Sequence, residues 1–267
     1  MAQGDQSIKL ESLLQPLADI SAQLGYKLVS KQNLNNLIST CDDFNFIKTV
    51  DSKYQNECLK LLECSRAQFR QDLFVLSQLD FKKNGFFVEF GAADGLVSSN
   101  SYLLEKNFNW RGILAEPATF WHDALMKNRT VYVETKCVWK SSKEEILFNE
   151  TDNLKQLSTI NSFSNSDSNY NLRELGNRYL VETISLVDLL NKYNAPPLID
   201  YLSIDTEGSE FDILSSFDFD KYKFKVITCE HNFSESRDKI HSLLQSKGYT
   251  RKFTTISKVD DWYLLAD

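Results

Sequence analysis

Apolar side chains recur three and four positions apart through the first eighty residues: at Leu10, Leu13, Leu14 and Leu17, at Leu34, Leu37 and Ile38, and at Tyr54, Cys58, Leu61 and Leu62. That spacing predicts helices, and Pro16 predicts two short helices in the first stretch rather than one long one. From Asn84 the period changes. Short β-rich runs alternate with helical ones: FFVEF, SSNSYLLEKN, GILAE, PATFWHDALMKN and TVYVETKCVW, then VDLLNKY, IDYLSID, SEFDILSSF, FKVITCE and SESRDKIHSLLQSKG. This alternation predicts an α/β fold, a mostly parallel sheet with helices on both faces. RKFTTI and DWYLLA, four residues apart, predict a terminal antiparallel hairpin. The expected organisation is a helical extension over 1–80, able to pack on the main domain or on a second copy as a homo-oligomer, and an α/β domain over 81–267.

One stretch interrupts the alternation. Residues 158–171 hold nine Ser or Asn among fourteen positions, which predicts a surface loop, either a lid or a disordered segment. If a lid, it should emerge beside the ligand site, between the third strand and the strand bearing Asp205.

Composition narrows the function. With 42% hydrophobic and 25% charged residues in 267, the chain can bury a sizeable core, and collagen-like or disordered readings fall away. Its 30 Lys and Arg against 37 Asp and Glu give a net charge of −7, which opposes a duplex nucleic-acid footprint. No apolar run approaches the roughly 18 residues of a membrane span. The start MAQGDQSIKLES lacks a basic n-region and an apolar h-region, so a cytoplasmic protein is expected. Five cysteines, with no CxxC pair, are expected to be buried free thiols.

Chemistry concentrates first in FFVEFGAADG, where Glu89, Gly91, Ala92, Ala93, Asp94 and Gly95 sit where a buried strand should turn into a helix. Glycine lets backbone approach a ligand. A dinucleotide fingerprint GxGxxG fails here, because Ala93 and Leu96 stand at its second and third glycines, and the Lys-Ser/Thr of a phosphate loop is missing. Glu116 in GILAEP lies 21 residues beyond Gly95 and could accept both hydroxyls of an adenosine ribose. Alone it fits NAD and S-adenosylmethionine equally. Glu89 tips the balance, since a carboxylate there would repel a pyrophosphate and suit an ammonium and a sulfonium.

From about Ser65 to the end the chain resembles the FkbM family of S-adenosylmethionine-dependent methyltransferases. The likeness rests on SRAQFRQDLFVL, GFFVEFGAADGLVSSNSYLLEKNFNWRGILAEP, ETISLVDLL, YLSIDTEGSEFDIL and VITCEHN, in that order. The resemblance implies a class I methyltransferase (Rossmann-like) fold with a seven-stranded sheet, the cofactor at the strand carboxyl ends, and transfer to a hydroxyl, commonly of a sugar or polyketide. Carried over by position, Glu89, Gly91, Ala92 and Gly95 would line the methionine part, Asn100 would orient that loop, and Glu116 would hold the ribose. Cys137 and Val138 would flank the adenine, although CVWKSS departs from the small and acidic run usual there.

A second acidic cluster, YLSIDTEGSEFDIL, packs Asp205, Glu207, Glu210 and Asp212 together. Glu210 and Asp212 read as openers of a helix, stabilised by its dipole. Asp205 and Glu207 fall in the preceding loop, at the ligand-binding edge, to which the next strand delivers Glu230 and His231. Asp205 is thus placed to touch both cofactor and acceptor. Because a sugar hydroxyl needs a base or an alkoxide-stabilising metal, His231 is the expected base, oriented by Asp205 and Glu207; alternatively Asp205, Glu207 and Glu230 could bind a divalent cation, Mg or Mn. The expected activity is O-methyl transfer to a small-molecule or glycan acceptor. The alternatives are a non-catalytic interaction protein that keeps the fold, and an NAD-dependent oxidoreductase.

Overall fold

The computed structural model describes residues 19–23, 27 and 29–266. Two compact units divide the chain, residues 1–44 and 45–267, with the boundary inside helix α1 (Lys31–Thr49). In the first unit Leu34, Leu37 and Ile38 are helical as expected, and exposed. The stretch from Leu10 to Leu17, with its expected break at Pro16, lies outside the described residues.

The second unit begins with two helices and then alternates. Helix α2 (Ser52–Leu61) is capped by Asp51, whose carboxylate accepts from the Lys53 N–H. Helix α3 (Gln71–Gln78) is buried along Gln71–Ser77. Then follow β1 (Phe86–Phe90), α4 (Tyr102–Phe108), β2 (Arg111–Ala115), α5 (His122–Asn128), β3 (Tyr132–Glu134), β4 (Cys137–Trp139), β5 (Glu145–Glu150), β6 (Thr159–Ile160), α6 (Tyr170–Arg173), β7 (Asn177–Ser185), α7 (Leu186–Lys192), β8 (Leu198–Ile204), α8 (Glu210–Ser215), β9 (Lys223–Glu230), α9 (Ser236–Ser246), β10 (Tyr249–Lys252) and β11 (Asp260–Leu265).

Seven strands form the main sheet in the order β10-β11-β9-β8-β1-β2-β3. Strands β9, β8, β1, β2 and β3 run parallel, and β11 is antiparallel to both β9 and β10. The two-residue period of the strands sorts their side chains between two cores. Phe87, Leu114, Tyr201 and Val226 join Phe46, Cys58, Phe74 and Trp262 on one face. Val88, Ile113, Leu202 and Ile227 join Leu189, Leu214 and Ile240 on the other. Both faces being covered explains the nearly unbroken apolar runs of β1 and β8. Because the chain leaves β1 toward β2 and β3 and returns on its other side as β8, the sheet order reverses at β1. Ligands bind at such a switch point, outside the strand carboxyl ends.

Three expectations change. TVYVETKCVW is two strands, because the chain leaves the main sheet after Glu134; β4 enters a second, four-stranded sheet, β4-β7-β5-β6. The terminal hairpin has its first strand at Tyr249–Lys252, and residues 253–259 form the connection, with Phe253 and Ile256 packing on the core instead of pairing. Of the cysteines, Cys58, Cys137 and Cys229 are buried, but Cys41 and Cys64 are exposed.

Candidate active site

Past the end of β1 the chain turns tightly. Gly91 has φ +71°, and a Cβ there would lie 1.8 Å from the Asp205 carbonyl oxygen, so glycine is required because the loops after β1 and β8 touch. The Gly91 and Ala92 N–H groups both donate to the Ala115 carbonyl, at 3.0 and 3.3 Å. Glu116, just past β2, accepts from the Ala93 and Ala118 N–H groups, each at 2.8 Å. Burial outweighs these bonds and pushes its carboxyl up to about 7.

Beneath this loop lies a polar cluster. Glu89 accepts from the Asn100 N–H at 2.9 Å and from the Ser99 and Ser101 hydroxyls. The fully buried Arg129 guanidinium binds Glu105, the Ser99 and Ser101 hydroxyls and the Gly95 carbonyl. Burial raises the Glu105 carboxyl, but the Lys106 hydrogen bond and the Arg129 charge prevail and hold it down at about 2.

A second cluster stands past β8 and β9. Oxygens of Asp205, Glu207 and Glu230 lie within 4.8 Å of one another. Burial pushes Asp205 up to about 6 although Glu230 donates a hydrogen bond to it. Burial and then the Asp205 charge raise Glu207 to about 9, with Arg173 opposing. Glu230 is raised well above the carboxylate range by burial and by both neighbours. Glu210 opens α8 as expected, its carboxylate accepting from the Thr206 and Gly208 N–H groups at 3.0 Å.

Both clusters border one cavity of about 490 Å³, within the size range of small-ligand sites. Of the residues singled out in the sequence, Glu89, Gly91, Ala92, Glu116, Cys137, Val138, Asp205, Glu207 and Glu230 line it. Gly95 instead packs beneath, where a Cβ would meet Leu125 at 2.6 Å and Arg129 at 2.7 Å. Asn100 holds the loop from behind: its N–H bonds Glu89 and its amide donates to the Ser203 hydroxyl at 2.9 Å.

The structure places His231 outside the cavity lining. Consecutive residues of an extended chain face opposite ways, and with Glu230 toward the cavity, His231 is not among the lining residues. Its Nδ1 accepts from the Phe233 N–H at 2.9 Å, and its Nε2 lies 3.8 Å from Asp261, in a buried setting that lowers its pKa. Asn232, two residues beyond Glu230, lines the cavity instead, and its amide donates to Glu207 at 3.3 Å. The interrupting segment also reaches the cavity, through Ser158, Ile160 and Asn169, on the side where a lid was expected.

A family model described as the methyltransferase FkbM domain matches residues 89–251, from the carboxylate of β1 through β10. The chain belongs to the FkbM methyltransferase family. It is therefore an S-adenosylmethionine-dependent methyltransferase, and the oxidoreductase alternative drops out. Among solved structures, the chain is similar to a precorrin-6y C5,15-methyltransferase from Geobacter metallireducens GS-15, at 15% identity and a TM-score of 0.34, over 68% of this chain and 71% of that one. No curated protein matches the sequence. Among the described residues, no helix is long and apolar enough to cross a membrane.

The FkbM cofactor can be tested against the cavity. Even with Glu207 and Glu230 holding their protons, Glu89, Asp94 and Asp205 line it against a single lysine, Lys155. That imbalance suits a ligand bearing a sulfonium and an ammonium and opposes a pyrophosphate. The close-packed glycine turn and the carboxyl of Glu116 border the same cavity, so the residues present fit S-adenosylmethionine.

Proposed function

We propose that the protein methylates a hydroxyl of a saccharide or related metabolite, small molecule or glycan, and that the cavity holds both cofactor and acceptor. Glu89, Gly91 and Ala92 would surround the methionine part, with Gly95 and Asn100 fixing the turn from behind. Glu116 would take the ribose hydroxyls, and Cys137 and Val138 would flank the adenine. Bound S-adenosylmethionine supplies an activated methyl group. The chain's own task is then to align the acceptor and take its proton.

One observation carries the acceptor assignment: Asp205 lines the cavity and its backbone abuts Gly91, so the carboxylate trio stands next to the cofactor loop. Asp205 is the base in this reading. It is ionised at neutral pH, with a proton affinity raised toward that of a working base. Glu230, protonated, donates to it and fixes its orientation, and Glu207 borders the acceptor.

The same geometry favours a second reading. Oxygens within 4.8 Å of one another can share one ion, and an all-carboxylate set selects a hard divalent cation, Mg or Mn. Asp205, Glu207 and Glu230 would hold it, to stabilise an acceptor alkoxide.

Calorimetry with S-adenosylhomocysteine, followed by transfer of a labelled methyl group to paired hydroxyl and amine sugars, tests the proposal. One-to-one binding and labelling of oxygen, lost by at least 100-fold in Asp205→Asn, is expected. Labelling of nitrogen alone would defeat the hydroxyl assignment. Loss on chelation with recovery in Mg or Mn would select the second reading over the first.

A further inference from the structure

The segment between β5 and β7 does more than border the cavity: it grips the loop that carries Glu207. Thr159 donates its hydroxyl to the Thr206 and Glu207 carbonyls, at 3.2 and 3.0 Å. Gly208, at φ +123°, comes so close that a Cβ would lie 2.8 Å from the Ser166 hydroxyl and 3.1 Å from Phe163. Glu207 itself has φ +58°, in the left-handed region that a non-glycine residue occupies only when its surroundings hold it there.

Arg173 supplies the side-chain part of that hold. It is 0% exposed, at the end of a four-residue helix whose last carbonyl is held by the Asn149 amide. Its Nε donates to the Leu157 carbonyl at 2.8 Å, and its fork takes both Asp167 oxygens, at 2.8 and 3.0 Å. The remaining direction reaches Glu207 at 2.7 Å. An arginine cannot shed its charge, and its planar fork serves two carboxylates in a fixed geometry that a lysine cannot copy. Asp167 thus aims the guanidinium, and the guanidinium fixes Glu207.

We propose that Arg173 is a positioning residue for methyl transfer, reaching from the inserted segment to set the Glu207 carboxylate at the acceptor end of the cavity. The role in transfer rests on the reading of Asp205, Glu207 and Glu230 as the acceptor end; the mechanical link does not. An insertion outside the main sheet would then complete the acceptor site.

Hydrogen exchange of the full chain, read residue by residue alongside S-adenosylhomocysteine calorimetry, separates these levels. Arg173→Met should speed exchange at the Thr206 and Gly208 amides at least tenfold, leave the β1 amides at the native rate, and change cofactor-analogue affinity less than threefold. Arg173→Lys, keeping charge without the fork, should recover part of the protection at 206 and 208. Asp167→Asn should loosen residues 158–172 while largely sparing 206 and 208, because the Glu207 contact survives. Native exchange at 206 and 208 in Arg173→Met would overturn the proposal. So would equal loosening in Asp167→Asn, which would make the insertion as a whole the support. If Arg173→Met does not fold, Arg173→Lys decides: native protection at 206 and 208 overturns the link, partial loss supports it. Failure of the unaltered protein to bind S-adenosylhomocysteine would sink the cofactor reading and leave the exchange result readable.

Discussion

Two groups of acidic side chains stand at the same sheet edge and behave in opposite ways. Under the loop after β1, Glu89 and Glu105 are matched by Arg129, two serine hydroxyls and backbone N–H groups, and Glu105 is held down at about 2. Past β8 and β9, Arg173 reaches Glu207 and also serves Asp167, and Asp205, Glu207 and Glu230 are all pushed up. The same kind of side chain thus gives a settled structural network in one place and carboxyls of raised proton affinity in the other. What decides is the count of compensating partners, since burial penalises both groups. Surplus carboxylate of this kind costs stability and is characteristic of functional sites.

The largest effect should come from unbalancing the balanced group. Arg129→Met leaves Glu105 buried without its guanidinium and is expected to lower stability by about 3 to 5 kcal/mol, measured by urea unfolding. A loss under about 1 kcal/mol would mean that Lys106 and the Thr130 N–H suffice for Glu105 without Arg129.

Removing one cavity carboxylate that has a ligand to meet should cost binding instead. Glu116→Ala should weaken S-adenosylhomocysteine by about 1.5 to 3 kcal/mol, the worth of charge-assisted hydrogen bonds. Calorimetry showing unchanged affinity would remove Glu116 from the ribose site.

In the unbalanced group the sign should invert. Asp205 moves from 3.8 to about 6 on folding, so the folded protein holds its proton more tightly, and stability is full below pH 4 and is lost as pH rises through about 6. Asp205→Asn abolishes that loss while keeping an acceptor oxygen. It should therefore stabilise the empty protein at pH 8 by about 1 to 2 kcal/mol, and by nothing near pH 4. A destabilised variant at pH 8 would show that the trio is compensated after all.

The smallest effect concerns Glu116, at about 7. Only its ionised form accepts from two ribose hydroxyls, so affinity for S-adenosylhomocysteine should rise a few-fold from pH 6 to pH 8. A flat profile in the unaltered protein would argue for a ribose contact through one oxygen only.

Much of this contrast was legible in the sequence, and the failures have physical causes. FFVEF and IDYLSID announce buried parallel strands because both faces of the sheet are covered, and the turn at Gly91 follows from them. The second sheet escaped notice. In EILFNE the buried end is polar: Asn149 and Glu150 are buried by bonds to Ser164, the Arg173 carbonyl, Tyr179 and Lys155, so hydrophobic alternation breaks down. His231 was grouped with the trio because it adjoins Glu230 in sequence, whereas the two-residue period turns it toward Asp261. Arg173 had no signal at all, since its partners Asp167 and Glu207 gather only when the insertion folds back.

The second sheet begins and ends against itself: Cys137 pairs with Thr183 and Trp139 with Ser185, side by side on β4 and β7. An excursion whose entry and exit are zipped together places little demand on the rest of the chain, because its closure does not depend on its length in any steep way. The cofactor half of the protein could therefore stay fixed while the excursion is lengthened, shortened or exchanged. For an engineer, the natural cut points are Trp139 and Ser185, and a new graft has to rebuild the contacts that reach back to the loop after β8, Thr159 to the Thr206 and Glu207 carbonyls and Arg173 to Glu207.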